Sequence, residues 1–274
     1  MRVVTLSIGD ELLDARGTDT HGAWFSRELV RHGCQHLEHR VVPDDVQTIR
    51  DAMVELVSKA DLLVMTGGLG PTLDDLTRDA LALMLEVELE EDSRAREDLQ
   101  DRLSHSGRAL GAGNLRQVMR PTGTDFLKNA HGTAPGIIAH LSDGVVILLP
   151  GPPREMCPMF DAHVVPLLEG VPRERATIRS FGLSEAEAGE RLGDLARRDR
   201  EPVVCFKVTD SIVQADVLGS GAIEVARRIE ERWAPYAFGD EQDSLPHVVG
   251  DLLQQRNSDV AVSESCTGGL LGGA

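Results

Sequence analysis

The chain has no apolar run approaching the roughly 20 residues that a membrane-spanning helix requires, since even GVVILLPG at 144–151 is interrupted within a few positions. Its opening, MRVVTLSIGD, has neither the long apolar core of a signal peptide nor a cleavage site, so we expect no export, no membrane partner and a cytoplasmic protein. The four cysteines, Cys34, Cys157, Cys205 and Cys266, include no C-x-x-C pair. That argues against a zinc ribbon and against a disulfide framework and leaves most of them as small core residues. Nine histidines are scattered. The nearest pair, His36 and His39, is three residues apart on an expected strand, which predicts opposite faces and speaks against a metal site there. Positive charge is also scarce, with 28 Lys and Arg against 45 Asp and Glu and a net charge of −17. Such a balance opposes non-specific attraction to nucleic acid. It does not exclude a small anionic ligand held by backbone N–H groups and a cation.

What is present reads as alternating strands and helices. At 274 residues and 41% hydrophobic content, two or three units are expected. RVVTLSI at 2–8 is a buried strand, and Trp24, Phe25 and Leu29 fall at helical spacing before the stop at Gly33. A strand at 36–42 follows, then a helix whose face carries Val46, Ile49, Met53, Leu56 and Val57, then the buried strand DLLVMT at 61–66. A helix is predicted from about Asp74, with acids suiting the positive end of its dipole, and 91–120 reads as helical and polar. GIIAH near 136 and GVVILL near 144 are further strands. This alternation predicts an α/β fold, a doubly wound, mostly parallel sheet with helices on both faces, over residues 1–170. After the Gly-Val-Pro at 170–172 the pattern becomes β-α-β-β-α, with one helix running to about Arg198, and predicts a small α+β domain over 171–243. A third segment, 244–274, reads as a helix at 245–255, a strand DVAVS at 259–263, and ESCTGGLLGGA.

The strongest chemical signal is Thr66-Gly67-Gly68-Leu69-Gly70-Pro71-Thr72 between a buried strand and a helix. Glycines let backbone approach an anion, and in parallel sheets such loops lie at the carboxyl edge, where ligands bind. The competing reading is a turn that needs glycine only for its dihedral angles. The loop lacks the Gly-Lys-Ser/Thr ending of a Walker A motif. Asp74 and Asp75 are either helix-start acids or, beside a phosphate cradle, ligands for a hard cation that keeps carboxylate and phosphate apart. Gly9-Asp10-Glu11 and Asp19-Thr20-His21 should line the same edge, which adds Asp10, Glu11 and Asp19 as candidates, with a helix cap at Asp19 or Thr20 as the competing reading. Asn114, Arg116 and Gln117, the HGTAPG loop with Gly132 and Thr133, and LPGPPREM with Gly151 and Arg154 supply further phosphate-binding candidates.

Together SIGDELL, DTHGAWFSREL, TGGLGPTLDDLTRDA, NLRQVMRP, HGTAPG and LPGPPREM resemble, in order, the N-terminal domain of the CinA (competence/damage-inducible) family over residues 1 to about 170. The resemblance implies a molybdopterin-binding-like fold and metal-dependent cleavage of ADP-ribose, a nucleotide diphosphate, to AMP and ribose 5-phosphate, with Mg, Mn or Co as cofactor. It implies Asp75, Glu11 and Asp10 as catalytic carboxylates, Asp75 and Asp10 as metal ligands, and Gly67, Gly68, Gly70 and Thr72 as the phosphate cradle. A non-catalytic pterin- or nucleotide-binding module is the alternative. Two positions depart from the family pattern: His21 where asparagine is common, and Leu115 where a basic residue is common. Residues 173–243 resemble the family's KH-like middle domain, but without a G-x-x-G clamp no RNA partner is expected. The sheet edges and this domain could support a homodimer. VSESCTGGLL at 262–271 resembles the opening of the family's nicotinamide-nucleotide amidase domain, which implies an incomplete domain and no deamidase activity.

Overall fold

The computed structural model describes all residues except 106, 108–110, 172, 198, 271 and 274. The chain forms two compact units, Met1–Pro172 and Arg173–Ala274, with residues 244–274 inside the second.

The first unit contains β1 (Arg2–Ile8), α1 (His21–Arg31), β2 (Gln35–Val42), α2 (Val46–Val57), β3 (Leu62–Thr66), α3 (Thr77–Leu85), β4 (Leu89–Glu91), α4 (Ser93–His105), α5 (Ala112–Leu115), β5 (Met119–Pro121), β6 (Asp125–Leu127), β7 (Gly136–Leu141), β8 (Gly144–Leu149) and α6 (Pro153–Met159). Six strands make one sheet in the order β2-β1-β3-β8-β7-β6. The first four are parallel, while β7 is antiparallel to both β8 and β6. Only two residues link β7 to β8, too few for a crossover, so a hairpin is the only pairing available to them.

The sheet is doubly wound. Alternate residues of β3 and β8 enter different cores: Leu63, Met65, Val146 and Leu148 pack with α2 and α3. Leu62, Val64, Ile147 and Leu149 pack with α1 and α6. On the second face Trp24 meets Phe25 and Phe160 edge to face and Phe25 lies tilted against Phe160, with ring centroids 5.0–5.7 Å apart.

Three local expectations are corrected. The helix after the glycine loop starts at Thr77 and not near Asp74, because Asp75 folds back onto the loop. The stretch 91–120 is not one helix; β4, α4, α5 and β5 divide it, and residues 106 and 108–110 lie outside the described residues. His36 and His39 share a face. Val3 pairs with His36 but Val4 pairs with Glu38, so Leu37 is an extra residue that shifts the parity of β2.

The second unit has β9 (Arg175–Phe181), α7 (Glu185–Leu192), β10 (Val203–Thr209), β11 (Ile212–Leu218), α8 (Ala222–Trp233), β12 (Ala237–Gly239) and α9 (Leu245–Gln255). The antiparallel sheet runs β10-β11-β9-β12, and its core closes on the buried Trp233, whose Nε1–H donates to Ala188 O at 3.1 Å. The helix expected to run to Arg198 ends at Leu192, with a 3-10 turn at Gly193–Ala196; Arg198, like Pro172 and Leu271, lies outside the described residues. Residues 259–263 form no strand, for no neighbouring strand offers them a ladder, and Val260 and Val262 stand exposed. Among the described residues no helix is long and apolar enough to cross a membrane.

Phe160 is fully buried at the centre of the aromatic group. Phe160→Ala should cost about 3–5 kcal/mol of unfolding free energy, read by urea denaturation.

Candidate functional site

Because β1, β3 and β8 are parallel neighbours, they end at one edge of the sheet, at Ile8, Thr66 and Leu149. Chain order reverses there: β1 leads outward to β2 on one side, and the chain returns to β3 on the other, which opens a crevice at the strands' carboxyl ends. The crevice is a cleft of ≈ 560 Å³, lined by the segments after β1, β3 and β8, with Asp44, Gln117 and Thr133 on its walls.

The glycine loop is built from within. Gly67 (φ +101°) and Gly68 (φ +64°) occupy the left-handed region, and a Cβ on them would strike Ile8 O and Thr77 Oγ1 respectively. Asp75 is the anchor. Its Oδ1 accepts from Gly70 N–H at 2.7 Å, and its Oδ2 accepts from Thr72 N–H at 2.7 Å and from Thr72 Oγ1 at 2.6 Å. Beneath the loop the buried Arg78 donates to the carbonyls of Leu69 and Gly70. Burial pushes its guanidinium down to about 10, against the favourable charges of Asp75 and Asp79. The amides of Gly68 and Leu69 have no protein acceptor among the described residues and are the groups left for an anion.

Acids crowd the other side. Asp10 N–H donates to Asp44 Oδ2 at 2.9 Å and Asp44 N–H to Asp10 Oδ1 at 3.2 Å, so the two loops clasp each other. The Asp44 carboxyl is raised above the usual range, first by burial and then by repulsion from Asp10, Glu11 and Asp74, although its hydrogen bond from Asp10 opposes this.

Behind the cleft the register shift in β2 assembles a polar chain. Ser26 Oγ lies 2.8 Å from His36 Nδ1, His36 Nε2 lies 2.8 Å from Thr5 Oγ1, and Thr5 Oγ1 lies 2.7 Å from His39 Nδ1. His39 Nε2 then reaches Asp19 Oδ2 at 2.5 Å, and Asp19 Oδ1 accepts from His21 N–H at 2.8 Å and from Ser7 Oγ at 3.3 Å. Burial alone would raise the Asp19 carboxyl; the bonds from His39 and His21 N–H outweigh it and hold it low. Burial lowers both His36 and His21.

The cleft gathers Asp10, Glu11, Asp75, Gly67, Gly68, Gly70, Thr72, Gln117, Thr133 and Gly151. Five expected residues, Asp19, Asn114, Arg116, Gly132 and Arg154, are not in its lining. Asp19 stands behind His21, as described. Asn114 Oδ1 caps the turn at Gly111. Arg116 is drawn to Asp79 Oδ2 (3.0 Å) and the Asp75 carbonyl (3.2 Å). Arg154 is 82% exposed, at the solvent side of α6. Gly132 borders the wall, where its missing side chain makes room for Glu155. Leu115 packs on the small core of Leu99, Leu103 and Val118. Sequence reasoning missed Asp44, Arg78 and Glu155. Asp44 was the most accessible, since it follows a parallel strand as Asp10 does; a buried Arg78 has no signal in periodicity.

Residues 4–170 match the family model described as "probable molybdopterin binding domain". The chain is 34% identical over 284 residues to a CinA-like protein of Dictyoglomus thermophilum, across 99% of this chain and 69% of that one. With a CinA-like protein of Synechococcus sp. strain RCC307 the identity is 36% over 286 residues, covering 98% and 68%. The crystal structure of the protein CinA from Thermoplasma acidophilum, described with unknown function, superposes with a TM-score of 0.58 at 30% identity, over 61% of this chain and all but 1% of that one (99%).

Two outcomes follow from this geometry. Asp75→Ala should destabilise the first unit by about 1.5–3 kcal/mol without any ligand, because it strips three bonds to a charged acceptor; thermal unfolding reads it. His36 and His21 have folded pKa values below the unfolded 6.5, so the unfolded chain binds more protons and stability must fall as pH drops through and below about 6.5. The fall between pH 7.5 and 5 should be shallower in His36→Gln, measured by denaturation at each pH.

Proposed function

The chain belongs to the CinA family, and from that premise we propose that its first unit is a divalent-metal-dependent pyrophosphatase of nucleotide-sugar diphosphates, with ADP-ribose, cleaved to AMP and ribose 5-phosphate, as leading substrate. One observation carries the reading: the charge imbalance of the cleft beside a glycine loop. Among the described residues, Asp10, Glu11, Asp44, Asp74, Asp75 and Glu155 line it against a single guanidinium, Arg16, which is itself paired with Asp14 at 2.6 Å. A phosphate entering such a cleft is repelled unless a hard cation comes with it.

The donor set fits that cation. Among the described residues no group of three or more His, Cys, Asp or Glu side chains makes a ready metal cage. Mg²⁺ ordinarily takes one or two carboxylates and completes its shell with water and substrate phosphate. Asp10 and Asp44 are the pair we assign to it, with Glu11 beside them, since Asp75 is engaged by Gly70 and Thr72. When bound, the cation would neutralise phosphate charge and lower the pKa of a water. The chain's own groups do the rest: the Gly68 and Leu69 amides hold phosphate oxygens, and Asp10 or Glu11 accepts the proton of the attacking water. The water oxygen bonds to one phosphorus as the bridging oxygen leaves with the other phosphate.

AMP release from ADP-ribose with Mg²⁺, Mn²⁺ or Co²⁺ tests this directly. We expect turnover that EDTA abolishes and that Asp10→Asn lowers roughly 10²-fold or more at unchanged stability. Saturable binding of ADP-ribose without turnover would replace the enzyme by a binding module.

A further inference from the structure

The imidazole of His21 has one edge fixed and the other open. His21 is the first residue of α1, its backbone N–H is held by Asp19 Oδ1 at 2.8 Å, and it belongs to the lining of the cleft. Its Nδ1 lies 3.0 Å from Oγ1 of Thr66, the last residue of β3. Its Nε2 has no side-chain partner among the described residues and is not one of the buried atoms left unpaired, so the ring edge away from Thr66 is open to solvent. The Gly151 carbonyl, another lining group, lies near the ring and favours a proton on it.

The threonine hydroxyl decides which nitrogen carries the proton. Thr66 is 1% exposed, and His21 Nδ1 is the only hydrogen-bond partner of its Oγ1 among the described residues. Were the proton on Nδ1, the hydroxyl would accept it and its own hydrogen would be buried without an acceptor, which is costly. Thr66 therefore donates to Nδ1, and the neutral ring carries its proton on Nε2, at the open edge. Burial lowers the pKa of the ring, so this neutral form prevails at neutral pH. A bare Nε2 would be a base; a protonated one is a donor. Thr66 stands two residues before Gly68, whose amide, with that of Leu69, has no protein acceptor among the described residues. We propose that His21 donates its Nε2–H to a phosphate oxygen of the ligand that those amides hold, with Thr66 as the positioning residue that fixes the tautomer. The inference rests on the reading of the cleft as a phosphate site and adds to it an uncharged side-chain donor. A charged phosphate oxygen is a stronger acceptor than the Gly151 carbonyl and takes the proton's hydrogen bond when it enters.

The test is nitrogen NMR of the full chain at about pH 7.5, titrated with Mg²⁺ and inorganic pyrophosphate. Without ligand, the ring of His21 should show a protonated Nε2 and an unprotonated Nδ1. On titration the Nε2–H signal should shift together with the Gly68 and Leu69 amides. His21→Phe should weaken pyrophosphate binding about tenfold, and His21→Gln, which keeps a neutral donor, about threefold or less. Thr66→Val should mix the two tautomers and weaken binding in the native background but add nothing to His21→Phe, because it acts through that ring alone. A proton found on Nδ1, or amides that shift while Nε2–H stays still, overturns the inference and leaves the phosphate reading standing. No shift at the amides or at Nε2–H removes the phosphate reading and the inference with it. The ring signals are read on the unmutated chain, so they decide the matter even where a variant fails to fold.

Discussion

Everything at the cleft depends on how closely the chain after β3 passes the end of β1. Gly67 lies against Ile8 O with no room for a side chain, and Gly68 lies against the Thr77 hydroxyl, which donates to Gly67 O at 2.8 Å. Neither contact holds the remainder of the loop. That is done by opposite charges placed on its two sides, the Asp75 carboxylate taking its amides and the Arg78 guanidinium taking its carbonyls. Arg78 is buried, but a pKa of about 10 leaves it charged at neutral pH, and a buried charge is tolerated only where acceptors surround it. The loop's shape therefore follows from satisfying two charges. Among the described residues, the amides of Gly68 and Leu69 are the ones that arrangement leaves without an acceptor.

The acids on the opposite side would be a liability without a cationic partner. Asp10 and Asp44 each donate a backbone N–H to the other's carboxylate, which ties the loop after β1 to the loop after β2, but the carboxylates, with Glu11 and Asp74, repel one another and raise Asp44. Such repulsion is common where function and stability compete. A cation bound there, as proposed above, would relieve that repulsion and so stabilise the fold.

The sheet was legible in the sequence because apolar runs such as LLVMT and GVVILL can be buried only between two helical layers, and the glycine loop was legible as a loop because Gly-Gly-Leu-Gly at a strand end ends the strand whether its glycines serve dihedral angles or ligand approach. The site's composition was less so. Arg116 and Arg154 looked like phosphate ligands by residue type, yet Arg116 is captured by Asp79 and Arg154 faces solvent, because partner choice is decided by contacts distant in sequence. Glu155, one residue from Arg154, enters the cleft since adjacent helix positions point about 100° apart. Asp75 was read for its charge alone; that both its oxygens would be taken by the loop depends on backbone geometry that spacing does not encode. His36 and His39 failed for a single reason, the extra residue Leu37, and period-2 reasoning has no means of seeing a register shift.

That shift also explains how Asp19 can be half-buried against His39, with His36 one step behind through Thr5. An ionised Asp19 only accepts, so His39 Nε2 must carry a proton. With His39 neutral, its Nδ1 accepts from Thr5, whose oxygen then accepts from His36 Nε2–H, and His36 Nδ1 accepts from Ser26. Every donor points toward Asp19. If His39 gains a second proton, Thr5 must turn to donate to His36, and His36 must change tautomer and donate to Ser26. Each member stays satisfied in both states. The carboxylate that fixes the first turn of α1, through His21 N–H, thus never loses its donor, and the turn that presents His21 to the cleft is insulated from the protonation of the histidines behind it.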